Sequence, residues 1–318
     1  MNDNYQLHKH GYPAQPPQDD EIDPKELFMS IWQDKWLIIA ITALFSIGGA
    51  LYALSQPNTY KADAILASAN DNNSGGLADM ASQFGGLASL AGVNLGGATD
   101  DKAKALAILQ SRQFLNAFIN KYDLLVPLMA GTEWNQSTDT LVIDPELYNE
   151  QSNQWLNDDE GVSLKPTNWE AYKAFKAILS VSERQDNGLV TVSITYFSPN
   201  IAKNWVDQLV HELNAWMKQG SLEDTRRNIS YLEQQINNTN ISDMQSVFYL
   251  LIEEQTKNLM LAQVQEEFAF KTLDPAVVPE EKAGPKRALI CIIATLLGGM
   301  LGVFIVLIRH AFSNKKEE

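Results

Sequence analysis

The stretch ALICIIATLLGGMLGVFIVLI, residues 288–308, decides the architecture of this 318-residue chain. Its 21 residues carry no charge, and as a helix they extend roughly 32 Å, enough to cross the hydrocarbon of a bilayer. Lys286 and Arg287 stand immediately before it and Arg309 immediately after, so cations mark both edges. Gly298 and Gly302 put a small-xxx-small face inside it, a spacing that lets a second helix approach closely. A matching apolar segment, Leu37–Leu54, lies near the N-terminus and contains Gly48-Gly49, a second place where backbones can meet. The chain then reads as a tail with an interfacial helix (1–36), a first span (37–54), one large loop (55–287), a second span (288–308) and a short tail (309–318). Two crossings place both outer segments on the same side of the membrane.

Composition narrows the partners. Formal net charge is −15, and the loop between the spans holds 18 basic and 30 acidic side chains, a local balance of −12. Such a surface argues against nucleic acid and does not favour anionic lipid headgroups. The single cysteine, Cys291, falls inside the second span, so the loop cannot use disulfides. The first span does not read as a cleaved signal peptide: 36 largely polar residues precede it and no small-residue cleavage pattern follows Leu54. Flanking cations (Lys25, Lys35, Arg309, Lys315 and Lys316 against Lys61, Lys282, Lys286 and Arg287) are too evenly shared to fix orientation.

Working outward, residues 1–20 are polar and Pro/Gln-rich, a composition that favours disorder. An amphipathic helix starts near Ile22 with Leu27, Phe28, Ile31 and Trp32 on one side, and Trp32 and Trp36 act as interfacial anchors. Thr59–Ser68 reads as a strand. The tract Ser74–Ala98 holds seven glycines and five alanines in 25 residues, yet too many Leu, Phe, Met and Val for a bare linker; a loose helix packed on something else is expected. Asp100–Lys121 reads as one helix, residues 131–168 as an acidic stretch without clear period, and Asn168–Leu179 as a short helix. Asn187-Gly188 between Val181–Ser182 and Leu189–Phe197 is a strong hairpin signal, with Val190, Val192, Ile194 and Tyr196 on one face.

Ser198-Pro199 then opens a helix, serine at the cap and proline in the first turn. Val206, Val210, Leu213 and Met217 follow 4-3-4 spacing, and after an irregularity expected at Gly220 the pattern resumes at Leu222, Ile229, Leu232 and Ile236. A turn at Asn237–Asn240 leads into a second helix, Ser242–Phe270. The two form a protruding helical hairpin over about residues 199–270, whose seam a single helix cannot bury: Ser242–Phe270 folding back covers part of it, and the remainder is expected to face neighbouring subunits. Pro275, Pro279 and Pro285 stiffen the approach to the second span by fixing φ and excluding helix.

No motif for chemistry emerges. There is no G-x-x-x-x-G-K-[ST], H-E-x-x-H or G-x-S-x-G, and no cysteine pair. His211, the loop's one histidine, has no nucleophile or ligand spacing around it. Glu253-Glu254 and Glu266-Glu267 are neighbours in sequence, and adjacent helical residues do not face each other. No catalytic, cofactor-binding or metal-binding residue is therefore expected.

Four stretches together resemble a known family: IDPKELFMSIWQDKWLII into the first span, GLASLAG with KALAILQSRQFLNAFI, GLVTVSITYFSPNIAKNWVDQLV, and LDPAVVPEEKAGPKRALI into the second span. Their order and placement are similar to the Wzz-type chain length determinants, polysaccharide co-polymerases of Gram-negative inner membranes. The resemblance implies an α+β fold: a periplasmic α/β base domain with a long helix, between two terminal transmembrane helices, assembled as a ring-like homo-oligomer. It implies a non-enzymatic regulator of O-antigen chain length, acting with the O-antigen polymerase on lipid-linked polysaccharide and in contact with membrane lipid. It also carries over a membrane-proximal role for Pro275, Pro279 and Pro285 and for Gly298 and Gly302, although Pro279-EEKAG-Pro285 lacks an intermediate proline common in relatives. With ten residues after Ile308, the kinase-bearing branch is not expected. A two-span periplasmic sensor and an export adaptor are the rival readings. The first needs a cytoplasmic output module, and the second needs sheet-rich modules flanking its hairpin.

Overall fold

The computed structural model describes residues 32–69 and 98–314, in two compact units. Residues 56–285 form one unit; the two apolar helices belong to the other. The start of the interfacial helix before Trp32, the glycine tract up to Gly97 and the last four residues lie outside the described residues.

The larger unit is built on a four-stranded antiparallel sheet of order β6-β7-β1-β8, from β1 (Tyr60–Ser68), β6 (Leu179–Glu183), β7 (Val190–Tyr196) and β8 (Phe270–Asp274). Its register follows from the period of two. Ala62, Ala64 and Leu66 sit opposite Ile194, Val192 and Val190, and Val181 and Leu179 sit opposite Val192 and Ile194, so one face is continuously apolar. Gly188 turns the β6–β7 connection at φ +66°. Helices cover that face: α3 (Arg112–Lys121), α5 (Asn168–Ile178) and the first half of α6 (Pro199–Asn238), with α2 (Ala98–Leu109) and the short α4 (Leu125–Ala130) beside them. The core is rich in rings. Phe118 packs on Phe175, Phe175 on Trp205 and Trp205 on Tyr196, with centroids 5.4, 5.9 and 4.6 Å apart. The buried Tyr196 hydroxyl donates to the Pro127 carbonyl.

Four expectations need correction. The helix expected over 100–121 is two helices, because Ser111 caps α3 by accepting the Phe114 N–H. The stretch 131–168 holds two small hairpins, β2 (Gly131–Asn135) with β3 (Thr140–Ile143) and β4 (Tyr148–Asn149) with β5 (Gln154–Trp155). Asp139 (φ +50°) and Asn153 (φ +52°) make their turns, residue types that tolerate the left-handed region. Gly220 causes no irregularity: α6 runs unbroken for 40 residues, roughly 60 Å. Finally, the second hairpin helix, α7 (Ser242–Val264), ends six residues before Phe270, which opens β8 instead.

That last difference has a definable cause. Asn214, buried on α6, donates its amide to the Phe270 carbonyl (2.9 Å) and accepts from the Ala269 and Phe270 N–H groups (2.8 and 2.9 Å). Three backbone groups that a continuing helix would pair internally are held here by one side chain. Lys218 meanwhile donates to the Gln263 carbonyl at 2.8 Å, in the last turn of α7.

The smaller unit pairs α1 (Lys35–Ser55) with α8 (Arg287–Asn314). Both are long and apolar enough to cross a membrane, with mean hydropathy 2.2 and 2.7. Most of their large side chains stay exposed in the chain alone, unlike those of a soluble protein's core helix.

Candidate functional site

Three features are candidates for a functional role: the apolar helix pair, the extended segment before α8, and the long hairpin. In the pair, a Cβ built at Gly298 would stand 2.6 Å from Phe45 Cβ and 3.1 Å from Thr42 Cα. At Gly302 it would stand 3.2 Å from Ile38 Cα, and at Gly49 2.4 Å from Ala294 Cβ. Side chains at these positions would push the backbones apart. Gly298, Gly302 and Val306 form the buried line of α8, each four residues on from the last. Gly48 is a correction: nothing lies within 4 Å of its Cβ position, so it takes no part in this contact.

Polar groups accompany the glycines. The Ser46 and Thr295 hydroxyl oxygens lie 2.9 Å apart, and each also has a carbonyl of its own helix in reach, Thr42 O and Cys291 O; one hydroxyl donates across the pair while the other donates to its own helix. Asp34 and Arg309 lie 4.0 Å apart at one end of the pair. Hydroxyl pairs of this kind are modest adhesives in lipid. The sequence reading missed Ser46 and Thr295; both lie one turn from a glycine of the contact, a usable signal.

The segment carrying Pro275, Pro279 and Pro285 is irregular and extended between β8 and α8, with Ala276 buried and Val277 and Val278 exposed. Its end is tied back: Thr59 N–H donates to Gly284 O (2.9 Å) and Ala283 N–H to Thr59 O (2.8 Å). The unit thus closes on its own first strand, and its two chain ends leave side by side. The Gly284–Pro285 peptide is cis.

In the hairpin, Leu222 and Leu232 are 7% and 5% exposed, while Ile229 and Ile236 are half-buried. The part of the seam expected to be covered by the returning helix is the larger one: α7 closes most of it within one chain, with Phe248, Ile252, Gln255, Leu259 and Ala262 on its less exposed side. The unfilled apolar surface lies on the opposite side of α7, where Tyr249, Leu250, Met260, Leu261 and Val264 are exposed. A shallow open depression of about 500 Å³ there is lined by Glu253, Thr256, Lys257, Met260 and Leu261.

Charged groups in the larger unit serve structure. Glu212, buried on α6, accepts from Lys121 Nζ (2.5 Å) and from the Tyr122 hydroxyl (3.4 Å), tying α3 to α6. Its hydrogen bond holds the Lys121 ammonium above its ordinary range. Burial pushes the Tyr196 hydroxyl up strongly. Glu170 lies below the usual carboxylate range because the Thr167 N–H and hydroxyl donate to it in a capping box. His211 is exposed. Among the described residues no group of three or more His, Cys, Asp and Glu is placed to hold a metal ion.

Comparison with known proteins gives two domain matches. Residues 20–122 match the family model of Wzz, chain length determinant protein, and residues 236–311 match GNVR, a G-rich domain on putative tyrosine kinase. Among solved structures, a full-length bacterial polysaccharide co-polymerase is similar over 92% of this chain and 99% of its own, at 15% identity and a TM-score of 0.38. A fragment of WzzB, a polysaccharide co-polymerase from Salmonella Typhimurium, is similar over 71% of this chain and 100% of its own, at 10% identity and a TM-score of 0.32. No curated protein sequence matches.

Proposed function

We propose, from the premise that this chain belongs to the Wzz chain length determinant family, that it sets the length of a surface polysaccharide without itself making glycosidic bonds. The observation carrying this reading is the placement of the matched domain: it covers the first apolar helix and β1, in a chain whose single α+β unit is bracketed by two such helices. In this reading α1 and α8 anchor the protein in the bacterial inner membrane and residues 56–285 lie in the periplasm. The chain assembles with copies of itself in a ring and works beside the polymerase that extends a lipid-linked polysaccharide of the O-antigen type.

The parts have separate tasks. Gly49, Gly298 and Gly302 keep α1 and α8 in close contact, so the two anchors move as one. Pro275, Pro279 and Pro285 form a stiff strap into the membrane. Neighbouring copies meet along the exposed side of α7, and at the half-buried Ile229 and Ile236 of α6, because an apolar stripe of that length needs a partner. The copies act by arrangement, not by chemistry.

The test is the banding of lipopolysaccharide from a strain lacking this protein. Loss of the preferred length, with polymer still made, is the expected result. An unchanged pattern would favour a sensor, and disappearance of surface polymer would favour an export role.

A further inference from the structure

The side of α5 that turns away from the core has an unusual composition for an acidic protein. Ala171 and Phe175 fill the inner side. The outer side carries Trp169, Tyr172, Lys173 and Lys176, at i, i+3, i+4 and i+7, so the four share one stripe. Trp169 is 52% exposed, although an indole of this size is normally mostly covered. Its ring lies 5.6 Å from that of Tyr172 at an interplanar angle of 34°, which makes a nearly continuous aromatic floor.

Cations surround that floor. Arg112, from the first position of α3, is 5.9 Å from the indole centroid, and Lys173 is 5.8 Å from it. Lys176 is 5.7 Å from the Tyr172 centroid and donates to its hydroxyl at 3.3 Å. Among the described residues, no ion pair within 4.0 Å involves any of these three cations. The nearest acidic neighbour on the helix, Glu170, is turned into the capping box, where its carboxylate accepts from both the N–H and the hydroxyl of Thr167. Lys165 adds a further exposed cation just before the helix.

We propose that this stripe is a contact surface for an acidic polysaccharide strand. The inference rests on the polysaccharide reading above and says which part of the protein touches the polymer and which polymer chemistry it suits. A pyranose ring presents an apolar face of C–H bonds that lies flat on an aromatic ring, whose negative face attracts those hydrogens. Ring carboxylates at its edge then meet Arg112, Lys173 and Lys176. From residue 169 to 176 the stripe runs about 10 Å, room for about two sugar rings. Charge complementarity singles out the partner: between the spans the balance is −12, so a locally basic aromatic patch attracts an anion that the rest of the loop repels. No pocket is needed, since a strand that must slide past is better held by an open platform than by an enclosed cleft.

The experiment is calorimetric titration of the full detergent-solubilised chain with hexagalacturonate, and with maltohexaose and hexaglutamate as neutral-sugar and charge-only probes. Saturable binding of hexagalacturonate is expected, weakened by salt and stronger than that of either other probe. Trp169→Ala should weaken it about tenfold, Trp169→Phe should restore most of that loss, and Lys173→Glu with Lys176→Glu should abolish binding. The replaced side chains, Trp169, Lys173 and Lys176, are all exposed, and the half-buried Tyr172 is kept, so the variants fold. Equal binding of hexaglutamate, unchanged binding by Trp169→Ala, or no binding of hexagalacturonate overturns the proposal. So does a lower oligomer mass for Trp169→Ala by light scattering, which would place the patch between copies. These outcomes are independent of the deletion strain's banding pattern, which alone decides the broader reading.

Discussion

Replacing Asn214 with alanine tests the account of how the long hairpin is returned to the sheet. The side chain is 5% exposed and serves two N–H groups and one carbonyl at the start of β8. Alanine leaves all three without that partner in a space too closed for ready rehydration, and each buried orphan costs about 1–3 kcal/mol. The expected loss is about 3–9 kcal/mol, a large share of the ~5–15 kcal/mol that holds a domain together. Asn214→Asp grades the effect: its carboxylate still accepts from Ala269 and Phe270, but it faces the Phe270 carbonyl with no proton to donate. Urea unfolding of the detergent-solubilised chain reads the global cost, and hydrogen exchange at the Ala269 and Phe270 amides reads local release of β8. Alanine should show one or both changes strongly, and aspartate a smaller acceleration of exchange. If Asn214→Ala unfolds within about 0.5 kcal/mol of the parent and its two amides exchange no faster, the clamp is not what holds β8.

Other perturbations follow from the same geometry. Gly298→Leu with Gly302→Leu should force α8 away from Phe45, Thr42 and Ile38 and shift the polymer length distribution; unaltered cysteine cross-linking between α1 and α8 would refute the close contact. Gly220→Ala should stabilise by about 0.5–1 kcal/mol, because the position is helical and no atom lies within 4 Å of the new methyl; a lower melting temperature would mean α6 needs to bend there. Leu232→Asp puts a charge where the side chain is 5% exposed, at several kcal/mol, and should open the hairpin locally before any effect on oligomer mass. Hydrogen exchange confined to α6 and α7 is the expected signature. An impermeant reagent should label Asn187→Cys but not Ser313→Cys in intact spheroplasts; the reverse pattern would invert the topology. Glu170, whose carboxyl is lowered from 4.5 by the Thr167 donors, contributes stability above its unfolded value and loses it as pH falls through the folded one. Protection of the Glu170 amide should therefore decay in acid, and Glu170→Gln should flatten that dependence.

What the sequence disclosed follows the strength of local signals. The two apolar runs, the alternation Val190–Tyr196 and the Ser198-Pro199 start each encode their element within a few neighbouring residues, and each is present in the structure. Elements set by distant partners were less legible. Residues 265–270 read as a continuation of α7, because Asn214, 56 residues before Phe270, is what holds the backbone there in another conformation. The hairpins at 131–155 rest on Asp139 and Asn153 in left-handed turns, and Asp139 is further fixed by Asn200 at 2.9 and 2.8 Å from its two oxygens. The seam on α6 was read correctly as apolar. Its cover by the returning helix α7 was legible in part, and α7 takes more of the seam than expected, leaving Leu222 and Leu232 7% and 5% exposed within one chain. The stripe of Trp169, Tyr172, Lys173 and Lys176 was passed over because half of its meaning comes from Arg112 on another helix.

The unbroken run of α6 also has a mechanical consequence. Its core-facing residues end at Met217, so the remaining 21 residues to Asn238, roughly 32 Å, act as a lever pivoting on the sheet. A tilt of about 10° at that fulcrum, well within ordinary variation of helix packing, sweeps the tip through about 5 Å. Substitutions around Trp205, Val206 or Leu209 are thus amplified into displacement at the far end of the hairpin, in the way a short handle moves a long oar.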